Sequence, residues 1–166
     1  MEQFPVPIRF ELPGPQWRAV QPESVGVTNA MLVALRDDTP GDYTPIISFS
    51  GGWRTDDATM EQIADEAVMR LRDETGDAQL MDRRRVGTEQ TPSYSQVIRA
   101  SAEVDGVHYD LARLQALLGL QDPEQERRRA VLIVSCTCLA SQLDVVTPEF
   151  QTLVRGLRVD EEKAAG

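Results

Sequence analysis

Residues 94–118 read YSQVIRASAEVDGVHYDLARLQALL, and the pair Asp105-Gly106 at their centre decides the fold. Asp-Gly suits a two-residue turn of the mirror-image type, because both central positions need a positive φ that few residues accept cheaply. A turn that short fixes the register of the strands it joins. Counting outward pairs Val104 with Val107, Ala102 with Tyr109 and Ala100 with Leu111 on one face, and Glu103 with His108 and Ser101 with Asp110 on the other. The first face reads as core, the second as wet near the turn. Further out, Val97 and Leu114 make the second face apolar too, which predicts a helix or a partner covering it there. Residues 111–118 also fit a helical period, and the hairpin register is what favours strand.

Downstream of the hairpin, GLQDPEQERRR is a polar connection, and RRAVLIVSCTCLAS, with its β-branched residues, reads as a buried strand. Cys136 and Cys138 share one face of that strand, too close along an extended backbone for an unstrained disulfide, so both are expected as free buried thiols. DVVTPEFQTLVRGLRV reads as a helix capped by Thr147, with Pro148 in its first turn, Glu149 at the positive end of the dipole, and Gly156 at its end. Phe150, Leu153 and Val154 form its core face, and the tail at 161–166 is expected to fray.

Upstream, AQLMDRRRV reads as an edge strand, and the helix before it is well marked. Thr59 offers an N-cap with Gln62 in capping-box position, and Met60, Ile63, Ala64, Ala67, Val68 and Leu71 recur on one stripe before Gly76 closes the helix. Further strands are expected at 44–50, at 28–37, and around Ile8, Phe10 and Leu12, where Pro13-Gly14-Pro15 stops the alternation. Trp17 packs on the core. The result is an α+β chain, an antiparallel β-sheet flanked by two main helices, in a single domain over residues 1–160.

The 166 residues carry a formal net charge of -10, with 27 acidic against 17 basic residues. That balance argues against a nucleic-acid surface, where Lys and Arg must displace counterions. The arginine runs 83–85 and 127–129 read as solvated strand ends or loops. No apolar run approaches the ~20 residues of a membrane span. The N-terminal residues, with Glu2, Pro5 and Pro7, lack the pattern of a signal peptide, so a cytoplasmic location is expected.

Strand, double glycine and helix start in SGGWRTDD (50–57) are the parts of a phosphate loop, but the order is wrong. Neither the Walker pattern nor G-x-G-x-x-G is present, and Asp56 and Asp57 already sit where the anion would be. The glycines read instead as a bend that lets the strand leave the sheet. His108 is the single histidine and faces Glu103 as an exposed cross-strand ion pair rather than a catalytic dyad. With one histidine and two cysteines, the ligands of a structural zinc are lacking, so neither metal nor cofactor is expected. What remains is apolar surface: Trp53 with its neighbour Arg54 after the glycines, and Leu117, Leu118 and Leu120 around Gly119, candidate anchors for a protein partner. The alternative is a small-ligand carrier or enzyme with a pocket between sheet and helices, lined by Trp53, Tyr94, Tyr109 and His108.

The order of elements, with RFELPGPQW at the entry, TMEQIADEAVMRLRD as the first helix and TPEFQTLVRGLRV at the exit, resembles the PsbP/Mog-like α/β/α sandwich family, and within it the LpqN-type proteins of mycobacteria and relatives. Members include photosystem accessory subunits, a binder of a small GTPase, lipoproteins and toxin chaperones. The resemblance therefore implies a non-enzymatic accessory or adaptor protein that binds another protein, alone or as a homodimer. The N-terminal residues carry no lipobox cysteine.

Overall fold

The computed structural model describes residues 6–27, 30–39, 41–87, 92–122, 124–125 and 127–159. The Asp105-Gly106 turn forms as the sequence predicts, with both residues at positive φ, and it joins β6 (Pro92–Val104) to β7 (Val107–Gln121) in the expected register. Residues 111–118 are strand throughout.

Around this hairpin the other strands assemble in the order β2-β3-β4-β8-β7-β6-β5, every pair antiparallel. They are β2 (Trp17–Val20), β3 (Leu32–Arg36), β4 (Ile46–Arg54), β5 (Gln79–Gly87) and β8 (Arg129–Leu139). β5 is an edge strand, as expected. β1 (Ile8–Arg9) pairs with β9 (Arg158–Val159) in a separate two-stranded sheet, and Phe10 beyond it stacks its ring 4.7 Å from that of Phe49.

The two helices cover opposite faces. α1 (Met60–Thr75) begins at the capping box of Thr59 and Gln62, ends at Gly76, and buries the stripe read from the sequence against Leu117, Val131, Ile133, Ile98 and Ala100. α2 (Leu143–Gly156) packs Val146, Phe150 and Leu153 on the other face, against Leu114, Ala116, Leu132, Val134 and both cysteines. The apolar second face at Val97 and Leu114 is thus covered by α2, a helix being one of the two covers, helix or partner, that the sequence predicts there. Among the described residues no helix is long and apolar enough to cross a membrane.

Several expectations need correction. The double glycine is no bend: β4 runs straight through it to Arg54, so Trp53 lies on a strand rather than in a loop. Gly51 has φ +138, and a Cβ there would stand 1.9 Å from the Val131 carbonyl oxygen, so glycine serves close approach to β8. α2 starts at Leu143, not at Thr147, which leaves Pro148 inside the helix. A 3-10 turn, Ala140–Gln142, leads into it, and there the Leu139 N–H donates to Gln142 Oε1 (2.8 Å), a bond that a leucine at the cap position hides from sequence inspection. Val104 and Val107 are exposed rather than core, because the hairpin tip runs beyond the reach of α1, whose last buried residue is Leu71. Arg83 is not solvated: it turns inward to Asp65 and Gln96. His108 stands opposite Glu103, yet no ion pair joins them among the described residues. The tail at 161–166 lies outside the described residues.

Candidate functional site

Strand register lines up Arg83, Gln96, Gln115, Ser135 and Ser48, one from each of β5, β6, β7, β8 and β4, in a transverse row on the face that carries α1. The row is hydrogen-bonded. Arg83 Nε donates to Gln96 Oε1 (2.9 Å), Gln96 Nε2 to Gln115 Oε1 (2.8 Å) and to the Ala64 carbonyl of α1 (3.1 Å), and Gln115 Nε2 to Ser135 Oγ (3.1 Å). A buried amide unmet by a partner costs about 1–3 kcal/mol, and here each meets one. The row passes under α1 and then emerges into the open.

Where it emerges, α1 presents Ala67, Arg70 and Glu74 on one side, and Gly26, Val27 and Ala30 stand on the other. Between them is a cleft of about 420 Å³. Its floor is strand: Ile46, Ser48 and Ser50 of β4, Ile133, Ser135 and Thr137 of β8, and Arg113 and Gln115 of β7. Four hydroxyls, an amide and a guanidinium thus share one patch of a sheet face that is apolar where α1 covers it. Neither the Ser48 nor the Ser50 hydroxyl has a hydrogen-bond partner among the described residues.

Arg113 dominates the electrostatics of the floor. Its side chain is 24% exposed; Nε donates to Thr137 Oγ1 (2.9 Å), and the nearest carboxylate, Glu74 Oε2, is 3.9 Å from Nη2. Burial lowers the guanidinium from its ordinary value, with Glu74 acting in the opposite sense, and arginine nevertheless stays charged. Arg70 is exposed and makes no hydrogen bond or ion pair among the described residues. Among the described residues the lining holds no histidine, lysine or cysteine, and Glu74 is its one carboxylate. Such a constellation can bind and orient a polar molecule, but it sets no base beside a nucleophile.

The residues singled out from sequence divide between the faces. Trp53 is 40% exposed, in a row with Ala130 and Leu120 on the α2 side, and its ring lies 4.0 Å below the Arg128 guanidinium. Arg54 is on the α1 side, tying the end of β4 to α1 through Glu66 (2.5 Å) and to the connection before α1 through Asp56; the Glu66 hydrogen bond is the largest cause raising its pKa. Leu117 is fully buried beneath α1, so the surface anchor expected there is spent on the core. Leu118 is half-buried against the α2 core, and Leu120 is half-buried. Of the proposed pocket lining, Tyr94 packs under α1, Tyr109 lies 5.9 Å from the Tyr43 ring, and His108 is exposed near the hairpin turn; none lines the cleft. Trp53 and Arg54 do line an adjoining hollow of about 360 Å³ that shares Ser50, Arg70 and Ile133 with it.

Sequence reading missed the floor, although a signal was present. Hydroxyls and polar side chains alternate with apolar ones in three strands: Ser48 and Ser50 around Phe49, Ser135 and Thr137 around Cys136, Arg113 and Gln115 around Leu114. Only the pairing of β4, β8 and β7 shows that the polar positions share one face.

No protein-family model and no curated protein matches the sequence. Solved structures do match by shape. LpqN of Mycobacterium tuberculosis, described as involved in cell envelope biogenesis, aligns with a TM-score of 0.64 at 13% identity over 93% of this chain and 85% of its own. The cyanobacterial PsbP of Synechocystis sp. PCC 6803 aligns at 0.55 with 14% identity over 87% and 82%. A Pseudomonas aeruginosa protein of unknown function aligns at 0.51 with 12% identity over 82% and 92%. Identity this low speaks to architecture alone, and with one helix on each side of an antiparallel sheet the chain has the α/β/α sandwich fold of PsbP and LpqN.

Proposed function

We propose that this protein is a non-enzymatic accessory protein that works by binding, and that the cleft between α1 and the wall formed by Gly26, Val27 and Ala30 takes a small polar ligand. One observation carries the reading: hydroxyls, an amide and a guanidinium converge on a sheet floor where folding alone favours apolar side chains. A binding rather than catalytic role is supported by the position of the two thiols. Cys136 and Cys138 face α2, and burial raises both, Cys138 to about 11, so neither is a ready nucleophile. Thermal-shift titration against small polar metabolites tests the reading. A ligand at 100 times its Kd stabilises by about 2.7 kcal/mol. That gain is expected to vanish in Ser48→Val while the ligand-free melting temperature holds or rises. A gain that survives the substitution sinks the reading.

A second reading, capture of a protein partner, is supported by Trp53, a large exposed ring with half-buried Leu120 in the same transverse row. Its experiment is affinity capture with wild-type and Trp53→Ala chains: a partner retained equally by both removes Trp53 from any interface.

A further inference from the structure

We infer that the cleft recognises a carboxylate, gripped by Arg113 on the floor and Arg70 on the wall. The inference rests on the proposal that the cleft is a binding site, and it names the ligand's chemistry. A guanidinium has five N–H donors, and Arg113 uses one, Nε, on Thr137. The Nη donors make no hydrogen bond among the described residues, because Glu74 at 3.9 Å lies beyond that range and is itself 62% exposed. Most of the side chain is nevertheless out of water. Glu74 balances part of the charge from a distance but leaves the Nη donors free, so an arriving anion can take them in direct, charge-assisted hydrogen bonds. The Thr137 bond also fixes the guanidinium plane, which leaves the Nη1 and Nη2 fork pre-set for the two oxygens of a carboxylate.

The charge count of the cleft agrees. Among the described lining residues two guanidiniums face one carboxylate, an excess of one positive charge in a chain of net charge -10, and Arg70 also interacts with Glu66 outside the lining. That excess suits a monoanion; a dianionic phosphate would set its second charge against Glu74. Beside the arginines, Ser48 and Ser50 offer unpartnered hydroxyls, while Ile46, Ile133, Val27 and Ala67 give apolar contact for a short stem. An organic carboxylate fits, either as a free acid or as the C-terminus of a peptide.

NMR of the full-length ¹⁵N-labelled chain separates these cases, with the Arg113 Nε–H and Gln115 side-chain amide as reporters. The probes are butyrate, butyramide, and a tripeptide with a free or an amidated C-terminus. Butyrate is expected to shift both reporters saturably, butyramide is not, and Arg113→Gln or Arg70→Gln is expected to weaken binding about tenfold or more. Arg70 is exposed, so its variant keeps the test alive should Arg113→Gln fail to fold. Saturation by the free-carboxylate tripeptide but not by butyrate upholds the same chemistry and assigns it to a peptide end. Equal response to butyrate and butyramide, or binding undiminished in Arg70→Gln, overturns the carboxylate inference. Silence from all four probes overturns it as well, while a thermal-shift hit lost in Ser48→Val would still sustain the cleft as a binding site.

Discussion

Glu149 looks, in sequence, like an acid placed to suit a helix dipole, yet its neighbours in space give it another task. Its carboxylate accepts from Arg36 Nε (3.0 Å) and Nη2 (2.9 Å) and from Trp17 Nε1 (2.7 Å), joining α2 to β3 and β2. Burial raises its pKa, but the hydrogen bonds from Arg36 and Trp17 and the arginine's charge outweigh that and hold it below its ordinary value of 4.5. A depressed carboxyl contributes stability that is present above the unfolded value and lost as pH falls through the folded one. Glu149→Gln is therefore expected to cost about 3 kcal/mol at neutral pH, because Arg36 is left buried without its counter-charge. In urea titrations, the gap between variant and parent should close as pH drops below 4.5; a gap constant with pH refutes the linkage. Leu117 and Trp53 make a second contrast. Truncating the fully buried Leu117 to alanine is expected to cost about 2–5 kcal/mol, whereas Trp53→Ala, at an exposed ring, should cost far less. Matching losses in chemical denaturation would place the indole in the core.

Elements differ in how openly the chain declares them. α1 is legible because both of its ends are local: Thr59 and Gln62 satisfy each other's backbone N–H groups, and Gly76 supplies the left-handed exit. Thr59→Ala should lower stability by about 1 kcal/mol, measured by thermal unfolding. α2 is less legible, since its true start relies on Gln142, whose side chain accepts from Leu139 N–H and donates to the Tyr43 carbonyl (2.9 Å) in a distant loop. β4 looks shorter in sequence than it is, because two glycines usually signal a bend. Gly51→Ala, forced to hold φ +138 against the Val131 carbonyl, is expected to cost about 1–3 kcal/mol and to raise amide exchange at the β4–β8 pairs near Val131. Unchanged exchange there would mean that the close approach matters little.

At the scale of the whole molecule, both cysteines lie under α2 and burial raises their pKa values, so neither should react with a thiol reagent at pH near 8 until denaturant is added. Fast labelling of the native chain would contradict the packing of that face. The cleft is also a property of this scale. Its floor draws on three strands whose residues are as far apart in sequence as Ser48 and Thr137, its walls on a helix and on Gly26, Val27 and Ala30. Filling the floor with Val at Ser48 is expected to keep or raise the melting temperature, since binding surfaces commonly hold residues that folding alone would replace; a clear loss of stability would recast Ser48 as structural.

The sequence by itself determined the hairpin register, the α1 stripe and its caps, the free buried thiols and the antiparallel α+β architecture. Each of these depends on turn chemistry or on periodicities of two and 3.6 that act over a few residues. Only the tertiary structure decided that Leu117 is core, that β4 continues past its glycines, that Arg36 holds Glu149, and that a polar patch opens beside α1. Those outcomes depend on which strands become neighbours and which helix covers which face, and no local pattern along the chain carries that information.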